Sequence, residues 1–135
     1  MATTTAAITL SSSDLTSDAL SLSKTATLTA AGSSTTGLSE TSGIARKKYD
    51  ANPAVANTIA AAADYDSSRA HKVYVFNTSV TSTEFFTVTV GSQAVGRLYA
   101  GDWAFIPWDG SADLKVTPSE TTAMTVEFAV IADNS

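Results

Sequence analysis

The stretch GRLYAGDWAFIPWDG, residues 96–110, holds both tryptophans of the chain together with a tyrosine, a phenylalanine and two acids. Trp103, Phe105 and Pro107 interleave with Ala104, Ile106 and Trp108, so a strand here sends the two tryptophans to opposite faces. One of them then belongs to a core and the other to an exposed or interface position. Pro107 has no N–H to give to a ladder, which places this strand at a sheet edge or a strand end. The flanking AGD and DGSAD carry turn residues.

Outward from this stretch the same grammar continues from about Ile59 to the C-terminus. Val73, Tyr74, Val75 and Phe76 are apolar on both faces, the mark of a central strand covered on both sides. In EFFTVTV, Phe86, Val88 and Val90 face one way and Thr87 and Thr89 the other. In MTVEFAVI, Met124, Val126, Phe128 and Val130 alternate with Thr125, Glu127 and Ala129. Short strands with a turn signal every 8–12 residues predict an all-β domain, a β-sandwich or jelly roll, over residues 51–135. NPAVANTIAAAADYD stays open: Pro53 and the alanines fit a helix, whereas Val55, Thr58 and Ile59 fit a short strand.

The first fifty residues differ. They are dominated by Ser, Thr and Ala and hold no aromatic residue before Tyr49. Leu20, Leu22, Lys24, Ala26 and Leu28 alternate with Ser21, Ser23, Thr25, Thr27 and Thr29, the period of a strand, and Gly32, Gly37 and Gly43 then punctuate the chain like turns. DLTSDALSL also fits the start of a helix capped by Ser13 or Asp14, against its Ser/Thr content. The prediction for residues 1–50 is an extended arm with one or two strands. Ordering each residue costs about 1–2 kcal/mol of backbone entropy, so such an arm needs a surface: its own domain, a sister subunit or a larger assembly. Residues 20–30 equally fit one strand of the domain's own sheet.

Composition narrows the function. A chain of 135 residues has room for one domain with an appendage. A formal net charge of −5 sets it against nucleic acid as a partner. Without cysteine there is no disulfide, thiol nucleophile or thiolate metal site. No apolar run approaches the roughly 20 residues that span a bilayer, and MATTTAAITL lacks the form of a secretory signal. The expectation is a soluble protein made in the cytoplasm and not exported by the usual route.

No catalytic constellation emerges. His71, in RAHK, has no orienting acid beside it and is expected to be a solvated strand-edge residue. No serine sits in G-x-S-x-G, and SLSK lies in the arm without partners. Asp102 and Asp109 fall in turns, where Asp bonds its own backbone. ADYDS lacks the glycine and distal Glu of a calcium loop. The sequon Asn77-Thr78-Ser79 carries no weight in a chain without an export signal. The expectation is no enzyme, no metal and no cofactor. Arg46, Lys47 and Lys48 form the one cationic cluster. They fit a solvated turn or charged edge strand, or an electrostatic contact with an acidic partner. Aromatic rings beside acids also fit a sugar-stacking platform, but tryptophans on opposite faces fit core plus interface better. The candidate contact residues are Arg46, Lys47, Lys48, Tyr99, Trp103 and Trp108.

Three stretches carry a resemblance: VYVFNTSVTSTEFFTVTVG, VGRLYAGDWAFIPWDGSADLKVTPS and TVEFAVI. With the leader LSSSDLTSDALSLSKTATLTAAGSSTTGLSETSGIARKKY, the chain resembles small virion structural proteins of tailed bacteriophages, particularly marine and cyanobacterial ones. The shared pattern is an Asn-Thr/Ser turn after a strand, a GRLxxGDWxFIPW hairpin, a DLKV strand and a closing VEF strand, and it covers nearly the whole chain. The resemblance implies a β-sandwich or jelly-roll subunit without enzyme activity. Its expected role is a capsid decoration (cement) protein that binds the outer capsid surface and bridges capsid subunits, with the major capsid protein as partner. It also implies a homo-oligomer, a trimer suiting three-fold positions, located on the virion head after synthesis in the host cytoplasm. The alternatives are a tail, neck or fibre component, or a glycan-binding adhesion module on the particle. No residue-by-residue contact map comes with it.

Overall fold

The computed structural model describes residues 4–14, 20–28, 40–49, 55–68, 71–120 and 122–132. These form eleven strands joined by turns and loops, with one 3-10 turn at Ala62–Asp64. The strands are β1 (Thr4–Ser12), β2 (Leu20–Leu28), β3 (Glu40–Thr41), β4 (Ala45–Tyr49), β5 (Asn57–Ala60), β6 (His71–Asn77), β7 (Phe85–Val90), β8 (Gln93–Tyr99), β9 (Trp103–Trp108), β10 (Leu114–Pro118) and β11 (Met124–Ala132). The fold is all-β, as the alternation predicts.

All described pairings are antiparallel, and the strands sort into a hairpin and two larger sheets. β1 pairs β2 over nine residues. The front sheet runs β4-β11-β6-β9, with β3 continuing the β4 side of β11, and the back sheet runs β5-β10-β7-β8. The pairing is nested: β4 lies beside β11, β5 beside β10, β6 beside β9 and β7 beside β8. This is the wiring of a jelly roll, a long hairpin folded double and rolled into two sheets.

One core lies between the sheets. The front sheet contributes Val73, Val75, Trp108, Met124, Val126, Phe128 and Val130; the back sheet contributes Ile59, Phe86, Val88, Leu98, Leu114 and Val116. Full burial of a side chain of this size stabilises by about 1.5–3 kcal/mol, so the alternating apolar face dictates which way each strand turns. In β6 the inner residues are buried, but the outer ones, Lys72, Tyr74 and Phe76, are only half-buried. The expected double cover of this central strand is therefore partial, because what lies over its outer face is a small hairpin and not a third sheet.

Three expectations are resolved or corrected here. Residues 57–60 form a strand against β10 and then turn through the 3-10 segment; Pro53 lies outside the described residues. Residues 20–28 pair with β1 and not with the domain's sheets. The sandwich also begins earlier than residue 51, since β3 and β4 both pair with β11. Ala45 and Tyr49 supply the inward alternation that binds β4 to the core. Between β3 and β4 the chain bulges at Gly43, with φ +71°. Ser42 holds the ladder together there: its N–H donates to Val130 O at 2.9 Å, and its Oγ accepts from Val130 N–H at 2.8 Å. Gly32 and Gly37 lie outside the described residues.

Candidate docking site

β9 is an edge strand, paired only with β6, and it divides its two tryptophans as its alternation requires. Trp108 is 4% exposed. Its Nε1–H donates to Ala112 O at 2.9 Å, and its ring meets Tyr65 edge-on at 5.0 Å. Trp103 stands on the outer face, 53% exposed. Trp108 is thus a core residue, which corrects its place among the candidate contacts: five positions from Trp103, an odd number, reverses the face.

The register builds an aromatic platform around Trp103. Phe76 lies directly opposite Trp103, and Tyr74 opposite Phe105. Asn77 N–H donates to Asp102 O at 3.0 Å, which sets the hydrogen-bonded pairs of this ladder at Val75–Ala104 and Val73–Ile106. The aromatic pairs, and Lys72 with Pro107, are then the non-bonded ones, where side chains stand closer. Pro107 loses nothing in this position, because its missing N–H falls on the open side of the strand. Along that side the N–H groups of Trp103 and Phe105 point outward.

Charge on this face is mostly positive. Arg46 Nε donates to Glu127 Oε2 at 2.6 Å, and Tyr74 Oη donates to Glu127 Oε1 at 3.1 Å. The Arg46 hydrogen bond, and after it the Tyr74 hydroxyl, hold the Glu127 carboxyl below the usual carboxylate range. Burial pushes the Tyr74 phenol up, with the Glu127 carboxylate adding to it. By register Lys48 and Lys72 share the face with Arg46, so Glu127 is the one acid among its described strand positions. Lys47 points the other way, between the inward-facing Ala45 and Tyr49, yet stays exposed at the rim.

Over the platform lies the hairpin, itself two-faced. Ala6, Ile8 and Leu10 share one face with Leu20, Leu22, Lys24, Ala26 and Leu28; the opposite face is Ser and Thr except for Ala7. Leu28 anchors it, 6% exposed and packed with Ala6, Phe105 and Ile131. Beyond the anchor the apolar face lifts clear. A cleft of about 1020 Å³ separates Ile8, Leu10 and Lys24 from Trp103, Phe105 and Tyr74. Ile8, Leu10, Leu20 and Leu22 remain 37–48% exposed. A two-layer apolar cleft with one cation at its wall can bind an apolar segment carrying an acid.

Of the sequence candidates, the structure brings Arg46, Lys48 and Trp103 to one sheet face. It puts Lys47 on the rim and Trp108 in the core. Tyr99 lies on the back sheet, 42% exposed, its ring 5.1 Å from Phe85, over which Arg97 also sits. Tyr74, Phe76 and Phe105 were not singled out from the sequence, nor were the hairpin's apolar residues. Their i, i+2 spacing was visible, but which strands lie side by side was not.

His71 corrects another expectation. It is 1% exposed and faces inward with Val73 and Val75, covered by Tyr65, Trp108 and Gly110. Its Nε2–H donates to Asp66 O at 2.9 Å, and its buried Nδ1 has no hydrogen-bond partner. Asn77 is likewise buried. Its Nδ2 donates to Leu98 O at 3.0 Å and Glu84 O at 3.3 Å, and its Oδ1 accepts from Ser79 N–H, so it ties β6 to β7 and β8. Asp102 and Asp109 bond their own turns, as expected: Asp102 accepts from Tyr99 N–H, and Asp109 from Ser111 N–H and Oγ–H. Among the described residues no group of three His, Asp or Glu side chains is placed to hold a metal ion. No helix among them is long and apolar enough to cross a membrane.

Comparison with protein-family models, with curated proteins and with solved structures finds no match to this chain.

Proposed function

We propose that this chain is a structural subunit of a phage virion, specifically a capsid decoration (cement) protein on the head surface. The observation that carries the reading is the hairpin β1–β2: held to the sandwich at Leu28, it leaves the apolar face from Ile8 to Leu22 half-exposed. Exposed apolar surface of this kind serves contacts between proteins. Its geometry suits a strap, which adds little core of its own and gains its stability on a neighbour. Repeated on a symmetric shell, individually weak contacts of this kind become stable through effective concentration. The resemblance of the leader and of the GRLYAGDWAFIPW hairpin to tailed-phage virion proteins supports the same reading. The deciding measurement is the copy number of this chain relative to the major capsid protein in purified particles, by quantitative mass spectrometry. A ratio near one supports decoration. A ratio many times smaller rejects it in favour of a tail, neck or fibre position, and absence from particles rejects the virion role.

A further inference from the structure

The cleft stays open because the hairpin above it cannot fill it. β1 and β2 are nine residues each, so the tip at Ser12 and Leu20 lies roughly 27 Å from the anchor at Thr4 and Leu28. Packed β layers stand about 10 Å apart. An anchored hairpin cannot turn its own tip back into so shallow a space without breaking the β1–β2 ladder. A single copy therefore presents two incomplete apolar features: a tip bearing Leu20 and Leu22, and a cleft walled by Ile8 and Leu10 and floored by Trp103, Phe105 and Tyr74.

Their charges are opposite. Lys24 is the one charged side chain lining the cleft, and it has no ion-pair partner among the described residues. Lys72, Lys48 and Arg46 extend the positive face beside it, where Glu127 is already held by Arg46. The tip carries Asp14, exposed beside Ser12. In a chain of net charge −5, these two surfaces attract where the chains as a whole repel.

We propose that the hairpin tip of one copy seats in the cleft of a second copy of this chain. The contact is heterologous, tip to cleft, so it builds a closed ring if the rotation between copies closes and an open string if it does not. It names the neighbour that the arm grips in the virion reading above, and it is tested without particles.

The test is sedimentation of the full chain across the micromolar range, with two kinds of variant. Leu22→Asp or Leu20→Ser disables the tip; Trp103→Ser disables the cleft. All three positions are exposed, and unchanged circular dichroism and melting establish that each variant is folded. The full chain is expected to associate, and each variant alone to associate at least about tenfold more weakly. A tip variant mixed with the cleft variant is expected to form a one-to-one heterodimer, because one sound tip and one sound cleft remain. A full chain that stays monomeric overturns the proposal. So does association that survives both variants, or a mixture that forms no heterodimer, which marks a symmetric contact instead. A monomeric chain abundant on particles refutes this inference and leaves the virion reading; a self-associating chain absent from particles does the reverse.

Discussion

Trp103 and Trp108 lie on the same strand, five residues apart and on opposite sides of the front sheet, 53% and 4% exposed. Their roles divide accordingly. Trp108→Ala removes a ring packed on Tyr65 and His71 and leaves Ala112 O without its donor. It is expected to cost about 3–5 kcal/mol. Trp103→Ala is expected to stay under about 1 kcal/mol, as exposed positions do. Urea denaturation of the two variants measures both; equal losses would refute the division of faces.

Glu127 gives the stability of the front sheet an acid-sensitive component. Its folded pKa lies below its unfolded value, because Arg46 and Tyr74 bond the charged carboxylate. The stabilisation is therefore fully present above the unfolded carboxylate range and is lost as pH falls through the lower, folded value. Arg46→Ala is expected to shrink this loss and to lower neutral-pH stability by the same amount, a small one, since the guanidinium is largely exposed. Urea midpoints followed from pH 7 towards pH 3 should show a shallower acid limb in the variant. An unchanged limb would mean that the pair contributes nothing.

Gly110 and Gly101 separate backbone strain from crowding. Both have positive φ, +70° and +80°, but a Cβ at Gly110 would come within 3.3 Å of the His71 ring, while one at Gly101 meets nothing within 4 Å. Alanine at Gly101 is expected to cost about 1–2 kcal/mol from the left-handed backbone alone. Alanine at Gly110 is expected to cost more, because the buried His71 has no room to retreat. Paired thermal melts decide it, and equal losses would show that the His71 corner is loosely packed.

Lys47 protects an edge. It points inward from β4 between Ala45 and Tyr49, a charge where an edge strand would otherwise offer an apolar row. Lys47→Val is expected to leave the monomer's stability within about 0.5 kcal/mol and to promote aggregation on standing, read by light scattering. A variant that stays as dispersed as the parent would remove this role.

Much of the sandwich was legible along the chain. The alternation in residues 71–77, 85–90, 103–108 and 124–132 needs only the period of a strand, and a buried apolar row fixes which way each strand turns. The edge position of β9 followed from Pro107, which cannot complete an interior ladder. The short strand at 57–60 was less plain, because it runs directly into the alanines of 60–63, which suit a helix as well. His71 was misplaced for a similar reason: its flanking Arg69 and Lys72 are basic, whereas its spatial neighbours, Tyr65 on one side and Trp108 and Gly110 on another, arrive from two other segments.

The docking face divides the same way. By itself the sequence determined an all-β chain, two tryptophans on opposite faces, an acidic balance and a Ser/Thr arm with a strand's period from Leu20 to Leu28. Only the tertiary structure decided that β4 joins the front sheet, that Phe76 and Tyr74 stand opposite Trp103 and Phe105, and that the arm's apolar face overhangs them. Periodicity reports which side of its own strand a residue occupies, because it arises from backbone geometry over two residues. Which strands become neighbours depends on contacts between segments far apart in the chain, where one core must satisfy all the apolar faces at once.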